Sequence, residues 1–285
     1  MNAPKPIDIQ AYVNTTLGNI SQRKHLSVEQ IRSIIQNRNK IFAVVATPKS
    51  GSTYLAKVLT GSQGLPHIPL CYAYSSNEHD LYFPALVVAA IHGAVSQLHM
   101  KGTPHNAQLL SYFGIKPIVL TRNIFDSVES LARDLRKKCT QPPLGEGVHG
   151  YSFVWLNNDI ASLNDEQMID YVIDFALPWY VNFFVSWHAL ANQGMVDPVF
   201  IRYEDMMRNK KEEVSKIIRE VGGEEAGLDE SMLEKNYIPD SGSISRGGGE
   251  SGLGIDRLTK YQIDRIKRLL SYYTEINFDS WVESV

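Results

Sequence analysis

Three runs of nearly unbroken apolar residues stand out along the chain: IFAVVATP from Ile41, KPIVLT from Lys116 and PVFIRYEDM from Pro198. Runs this short and this apolar predict strands buried on both faces, as in a parallel sheet covered by helices. Each is followed by a segment with helical spacing. STYLAKVLTG predicts a helix that stops at Gly61, and NIFDSVESLARDLRKK a helix with Asn123 as N-cap, Asp126 near its positive end and a basic last turn. NKKEEVSKIIREVGG predicts a third, ending at glycines. Ahead of them, LSVEQIRSIIQNRNK pairs Ser27 with Gln30 in capping-box spacing and sets Ile31, Ile34 and Ile35 on one face. Strands alternating with helices give an α/β fold with a central, mostly parallel sheet flanked by helices.

Two stretches break this rhythm, CTQPPLGEGVHGYS at 139–152 and PDSGSISRGGGESGLG at 239–254. Neither divides the core-forming sequence into two blocks, so they read as long functional loops within a single domain spanning 1–285, with an N-terminal helical segment at 1–40 and the α/β core at 41–285. The aromatic segment DYVIDFALPWYVNFFVSWHAL reads as helical core packing.

Composition narrows the function. With 28 Lys and Arg against 31 Asp and Glu the formal charge is −3, so no general basic field draws in nucleic acid or an anionic membrane, and any bound anion needs a local site. The two cysteines, Cys71 and Cys139, have no metal-like spacing and read as reduced thiols. The N-terminus lacks an apolar signal region, and no stretch approaches the roughly 20 apolar residues that cross a bilayer. The expectation is a soluble, cytoplasmic protein.

The chemistry gathers at the turns after the strands, where helix N-termini point unpaired amides at anions. In TPKSGSTYL, Lys49 supplies a mobile charge, Gly51 lets backbone approach closely, and Ser50, Ser52 and Thr53 add hydroxyls. Lysine precedes the glycine, which is not the order of a nucleotide-triphosphate loop. The second turn, TRNIFDSVES, offers Arg122, with Ser130 eight residues on, and the later SRGGG carries Arg246. Two anion-competent turns plus a third arginine suit a ligand with two separate phosphate-like groups.

On these residues the sequence resembles the sulfotransferases that use 3′-phosphoadenosine 5′-phosphosulfate (PAPS), which have a P-loop NTPase-like fold. PKSGSTYL looks like their 5′-phosphosulfate loop and RNIFDSVES is similar to their 3′-phosphate motif, R-N-x-x-D-x-x-x-S. VFIRYEDM resembles their YEDM strand and SRGGGESG a looser R-K-G loop, with Gly247 in place of lysine. The resemblance implies that Lys49, Ser50, Gly51, Ser52 and Thr53 hold the phosphosulfate, that Arg122, Ser130 and Arg246, in the loop with Gly247, hold the 3′-phosphate, and that Tyr54 and Tyr203 lie near the adenine. It implies in-line transfer to an acceptor, with Lys49 on the leaving phosphate oxygen and 3′,5′-adenosine bisphosphate (PAP) as product, and no metal. The histidine of the family's K-T-H-L-P segment corresponds to His99 in SQLHMKGTPHN, which makes His99 the candidate base, with His105 as competitor. Glu78, in SSNEHDLYF, is a candidate second acid-base group or orienter; a solvated loop carboxylate is the competing reading.

The combination of NEHDLY, LHMKGTPHN, RNIFDSV and PWYVNFFVSW looks closest to bacterial sulfotransferase domains of polyketide and olefin synthases. That likeness implies secondary metabolism and a β-hydroxyacyl chain on acyl carrier protein as acceptor, beside small alcohols or phenols. Two other classes stay open: a nucleotide or small-molecule kinase with an atypical phosphate loop, and a non-catalytic adenosine-bisphosphate-binding module.

Overall fold

A computed structural model describes residues 26–72, 77–140, 158–235, 252 and 254–283. Arg246, Gly247, residues 1–25, and most of the loops 139–152 and 239–254 lie outside the described residues. Four strands form one sheet: β1 (Ile41–Ala46), β2 (Ala94–Leu98), β3 (Ile118–Thr121) and β4 (Val199–Arg202). They are all parallel and ordered β2-β1-β3-β4.

All six β1 residues are buried, and they alternate between two cores. Ala43 and Val45 feed one apolar cluster, while Phe42, Val44 and Ala46 feed the other, on the opposite face of the sheet. This is the period-two geometry of a strand covered on both sides. The first cluster takes in Trp179, Tyr180, Phe183, Phe184 and Trp187 from the helix Leu177–Asn192, so the aromatic segment is core packing as expected. Together with the preceding Asp165–Phe175 helix it forms a span long and apolar enough to cross a membrane by length and composition, and 56% of its most apolar window is buried inside the protein, which marks a core helix.

Ser27 and Gln30 form the expected capping box at the start of the helix Val28–Gln36. The helix after β1 differs from expectation at its end. It runs through Gly61 to Gln63 and is closed by Gly64, whose left-handed φ of 62° is what a glycine C-cap supplies. Gly61 is an interior helical glycine, and a Cβ there would meet only Met232 Sδ at an ordinary 3.7 Å. Among the elements that escape the sequence patterning are the helices Phe83–His92, Pro104–Tyr112 and Lys260–Leu270, and β2, whose AVSQL breaks an apolar run with two polar residues. Ser96 is nevertheless fully buried, its hydroxyl accepting the Leu70 N–H at 3.2 Å.

The strand order places the site. From β1 the chain leaves toward β2, on one side of the sheet; from β3 it leaves toward β4, on the other. Outside the carboxyl ends of β1 and β3 the connections therefore part, leaving the crevice in which open α/β sheets collect ligands. Residues 47–53 and 122–126 occupy it.

Candidate anion cradle and histidine base

After β1 the backbone turns sharply. Lys49 has φ 71° and Gly51 φ 82°, and Lys49 is the one non-glycine with positive φ among the described residues. A left-handed lysine costs about 1–2 kcal/mol, so the surrounding contacts must hold it. Those contacts are present: Thr47 and Ser50 share a hydroxyl hydrogen bond, the Tyr180 hydroxyl donates to Pro48 O at 3.1 Å, and Arg122 Nη1 donates to Lys49 O at 3.2 Å. Gly51 is the N-cap of the helix Ser52–Gln63, and no side chain caps it. The first amides of that helix thus face the crevice without a side-chain acceptor, the arrangement that binds anions.

Gly51 is obligatory for a second reason. A Cβ there would lie 2.7 Å from Tyr203 Cδ2. The buried Tyr203 ring, in the first turn of the helix Tyr203–Arg208, packs on Gly51 and carries the Arg122 guanidinium 4.6 Å from its centroid. Arg122, 8% exposed, also lies 3.9 Å from Asp126. The two anion-competent turns predicted from sequence are therefore locked together by one guanidinium and one ring. Ser130 is buried one turn of helix beyond Asp126.

Each turn is braced further, by Asp134 and Gln97, which sequence reasoning did not single out, and by Glu204, Asn123 and Asp126. The Lys49 ammonium pairs with Asp134 Oδ1 at 3.1 Å, with the side chains only 12% and 5% exposed. Gln97 in β2 donates to Ser52 Oγ at 2.9 Å and accepts from Thr53 Oγ1 at 3.2 Å. Glu204 accepts the Asn123 N–H at 2.9 Å; burial pushes its carboxyl up, against the downward pull of its hydrogen bonds and of Arg202 and Arg122. Asn123 caps the next helix as expected, its Oδ1 accepting from Phe125 and Asp126 N–H. Asp126 accepts Gly252 N–H at 2.8 Å and Gly254 N–H at 2.7 Å, tying the end of the 239–254 loop to the Arg122 turn. The Tyr54 hydroxyl donates to Leu233 O at 3.2 Å.

His99 follows β2, beside the end of β1. Its Nδ1 lies 2.8 Å from Ala46 O. A carbonyl can only accept, so Nδ1 carries the proton and Nε2 keeps the lone pair in the neutral ring. Burial pushes the imidazole down to about 4; the Ala46 bond opposes this and nearby His79 adds to it. His99 is thus neutral through the physiological range, with Nε2 able to accept a proton.

The competitors are placed differently. His105 is exposed on the helix Pro104–Tyr112, with Nε2 3.2 Å from Leu81 O. Glu78 pairs with Lys101 at 3.3 Å, both about one-third exposed. Lys101 also lies 5.8 Å from the centroid of the Trp179 ring. Cys71 is buried, and burial pushes its thiol up to about 12, which suits an inert structural residue.

No family model matches the sequence, and no curated protein matches it either. Solved structures do match. Mouse sulfotransferase SULT7A1, complexed with PAP, superimposes with a TM-score of 0.55 at 15% identity, covering 87% of this chain and 89% of that one. Retinol dehydratase, in complex with androsterone and the inactive cofactor PAP, aligns at 10% identity over 95% of this chain and 96% of that one, with a TM-score of 0.49. The four-stranded parallel sheet flanked by helices is the α/β fold that the mouse sulfotransferase also has.

Proposed function

We propose that the protein is a sulfotransferase that moves a sulfuryl group from PAPS to an acceptor hydroxyl. One observation carries the reading. At the β1/β3 crevice a helix start without a side-chain cap, bearing Lys49 and Gly51, is locked through Arg122 to a second anion-competent turn, and a neutral histidine is hydrogen-bonded to the same end of β1. The residues fit a donor with two anionic ends: the first amides of the Ser52–Gln63 helix have no side-chain cap, and Arg122 carries a buried fork of N–H donors. The fold shared with mouse sulfotransferase SULT7A1, whose structure holds PAP, supports the same reading.

In this reading the backbone of residues 50–53, with the hydroxyls of Ser50, Ser52 and Thr53, holds the phosphosulfate. Arg122, Ser130 and Arg246, with Gly247 in the same loop, hold the 3′-phosphate, and Tyr54 and Tyr203 border the adenine. The donor supplies an activated sulfuryl group and a phosphate as leaving group. Lys49 turns from Asp134 to neutralise charge growing on that phosphate, an electrostatic role like that of cations in phosphoryl transfer. His99 Nε2 takes the proton of the attacking hydroxyl, a role worth about 10²–10⁴-fold in rate. Glu78 is the candidate orienter or second acid-base group. The acceptor is a small alcohol or phenol, or a β-hydroxyacyl chain on a carrier protein, and a single 1–285 domain in the cytoplasm carries out the reaction.

Isothermal titration with PAP and with ATP plus magnesium tests the donor site. Preference for PAP is expected; preference for magnesium ATP would favour a kinase and overturn the reading. Transfer from labelled PAPS to phenols, simple alcohols and β-hydroxyacyl carrier proteins identifies the acceptor class.

A further inference from the structure

His79 forms two hydrogen bonds to a single residue. Its backbone N–H donates to His99 O at 3.1 Å, and its ring Nδ1 accepts the His99 backbone N–H at 2.8 Å. The two imidazoles stack with centroids 5.8 Å apart and planes inclined by 30°. His79 is 6% exposed, and the segment that carries it is fixed from below by Asn106, which is fully buried. The Asn106 side chain accepts Leu81 N–H at 2.9 Å and donates to Asp80 Oδ1 at 2.9 Å and to Lys101 O at 3.0 Å. One amide thus joins the segment just after His79 to the loop after His99.

We propose that His79 is a positioning residue for His99, gripping its peptide unit through ring Nδ1 and backbone N–H so that the His99 ring reaches Ala46 O and keeps its proton on Nδ1. His99 stands just past the last residue of β2, where ladder hydrogen bonds no longer fix the backbone. Its ring must span from there to the end of β1. The clamp supplies the restraint that the sheet stops providing, and a rotation of the His99 peptide would carry Nδ1 away from Ala46. Accepting from an N–H requires His79 Nδ1 to be unprotonated, so a neutral His79 carries its proton on Nε2. The catalytic consequence rests on the sulfotransferase reading above, while the effect on the His99 tautomer does not.

Two variants separate positioning from simple packing. In His79→Asn, Oδ1 can stand where Nδ1 stands and accept the same N–H; His79→Leu fills space without an acceptor. Long-range nitrogen-proton NMR on protein labelled with ¹⁵N-histidine reads the tautomer of each ring. Wild type and H79N should show His99 protonated on Nδ1, and H79L should drift to the Nε2–H form that free histidine favours in water. Turnover should fall at least tenfold in H79L and recover most of that in H79N, with PAP affinity unchanged within about twofold in both. Retention of the Nδ1–H tautomer in H79L, or equal loss in H79N and H79L, would overturn the proposal. If H79L does not fold, the tautomer in H79N decides. Should wild type neither bind PAP nor transfer sulfate, the sulfotransferase reading fails while the tautomer comparison still judges His79.

Discussion

The Lys49 ammonium and the Asp134 carboxylate form a buried ion pair, 3.1 Å apart, beneath the turn that the sequence marks as an anion cradle. The pair sets a competition, because an anion that recruits Lys49 must draw it from a carboxylate in a poorly solvated place.

Asp134→Asn removes the competing charge. PAP affinity is expected to rise by calorimetry, because Lys49 no longer leaves a carboxylate. Thermal stability should fall, by up to roughly 3 kcal/mol, as a largely buried ammonium loses its partner. Lys49→Met should do the reverse to function, with the transfer rate falling more than PAP affinity.

Gly51→Ala should fail on both counts. The left-handed φ of 82° and the 2.7 Å approach of Tyr203 leave no relaxed position for a Cβ. A loss of at least 1–2 kcal/mol is expected from the backbone alone. Tyr203→Ala relieves only the steric part, so a double-mutant cycle followed by thermal melting should show coupling between the two sites.

Arg122→Lys keeps the charge and discards the fork. The bond to Lys49 O and the stacking on Tyr203 both need the planar guanidinium. Losing charge-assisted hydrogen bonds worth about 1.5–3 kcal/mol predicts PAP affinity roughly 10–100-fold weaker by titration.

His99→Ala should lower turnover by about 10²–10⁴-fold and leave PAP affinity nearly intact. The low imidazole value also fixes a pH dependence. Between about 6.5 and about 4 the unfolded chain protonates this histidine while the folded chain does not, so its contribution to stability is present above 6.5 and declines as pH falls through that window. By the same sign, kcat/KM in wild type should hold through pH 6 and lose its base only toward 4. An acidic limb centred at 6.5 would contradict the neutral, Ala46-bonded ring.

The sequence by itself determined the α/β alternation, because strands buried on both faces must be apolar throughout and their helices must show an apolar stripe. It also marked Lys49, Gly51 and Arg122 as candidates, whose chemistry depends on a residue at a strand end and survives as local spacing, whereas His99 entered only through the resemblance to sulfotransferases. It did not disclose β2, because Ser96 hides its polarity in a hydrogen bond to Leu70, a partner 26 residues away. It did not disclose Asp134, Gln97 or His79 as parts of the site either. A carboxylate deep in a helix, an amide in a strand and a histidine in a loop read as ordinary surface or core residues until the sheet order β2-β1-β3-β4 sets their neighbours. Pairings between residues 20 to 85 positions apart are set by the packing of whole elements, and no local pattern encodes them. Only the tertiary structure therefore decided that Lys49 is held by a carboxylate, and that the proton of His99 sits on the nitrogen facing Ala46.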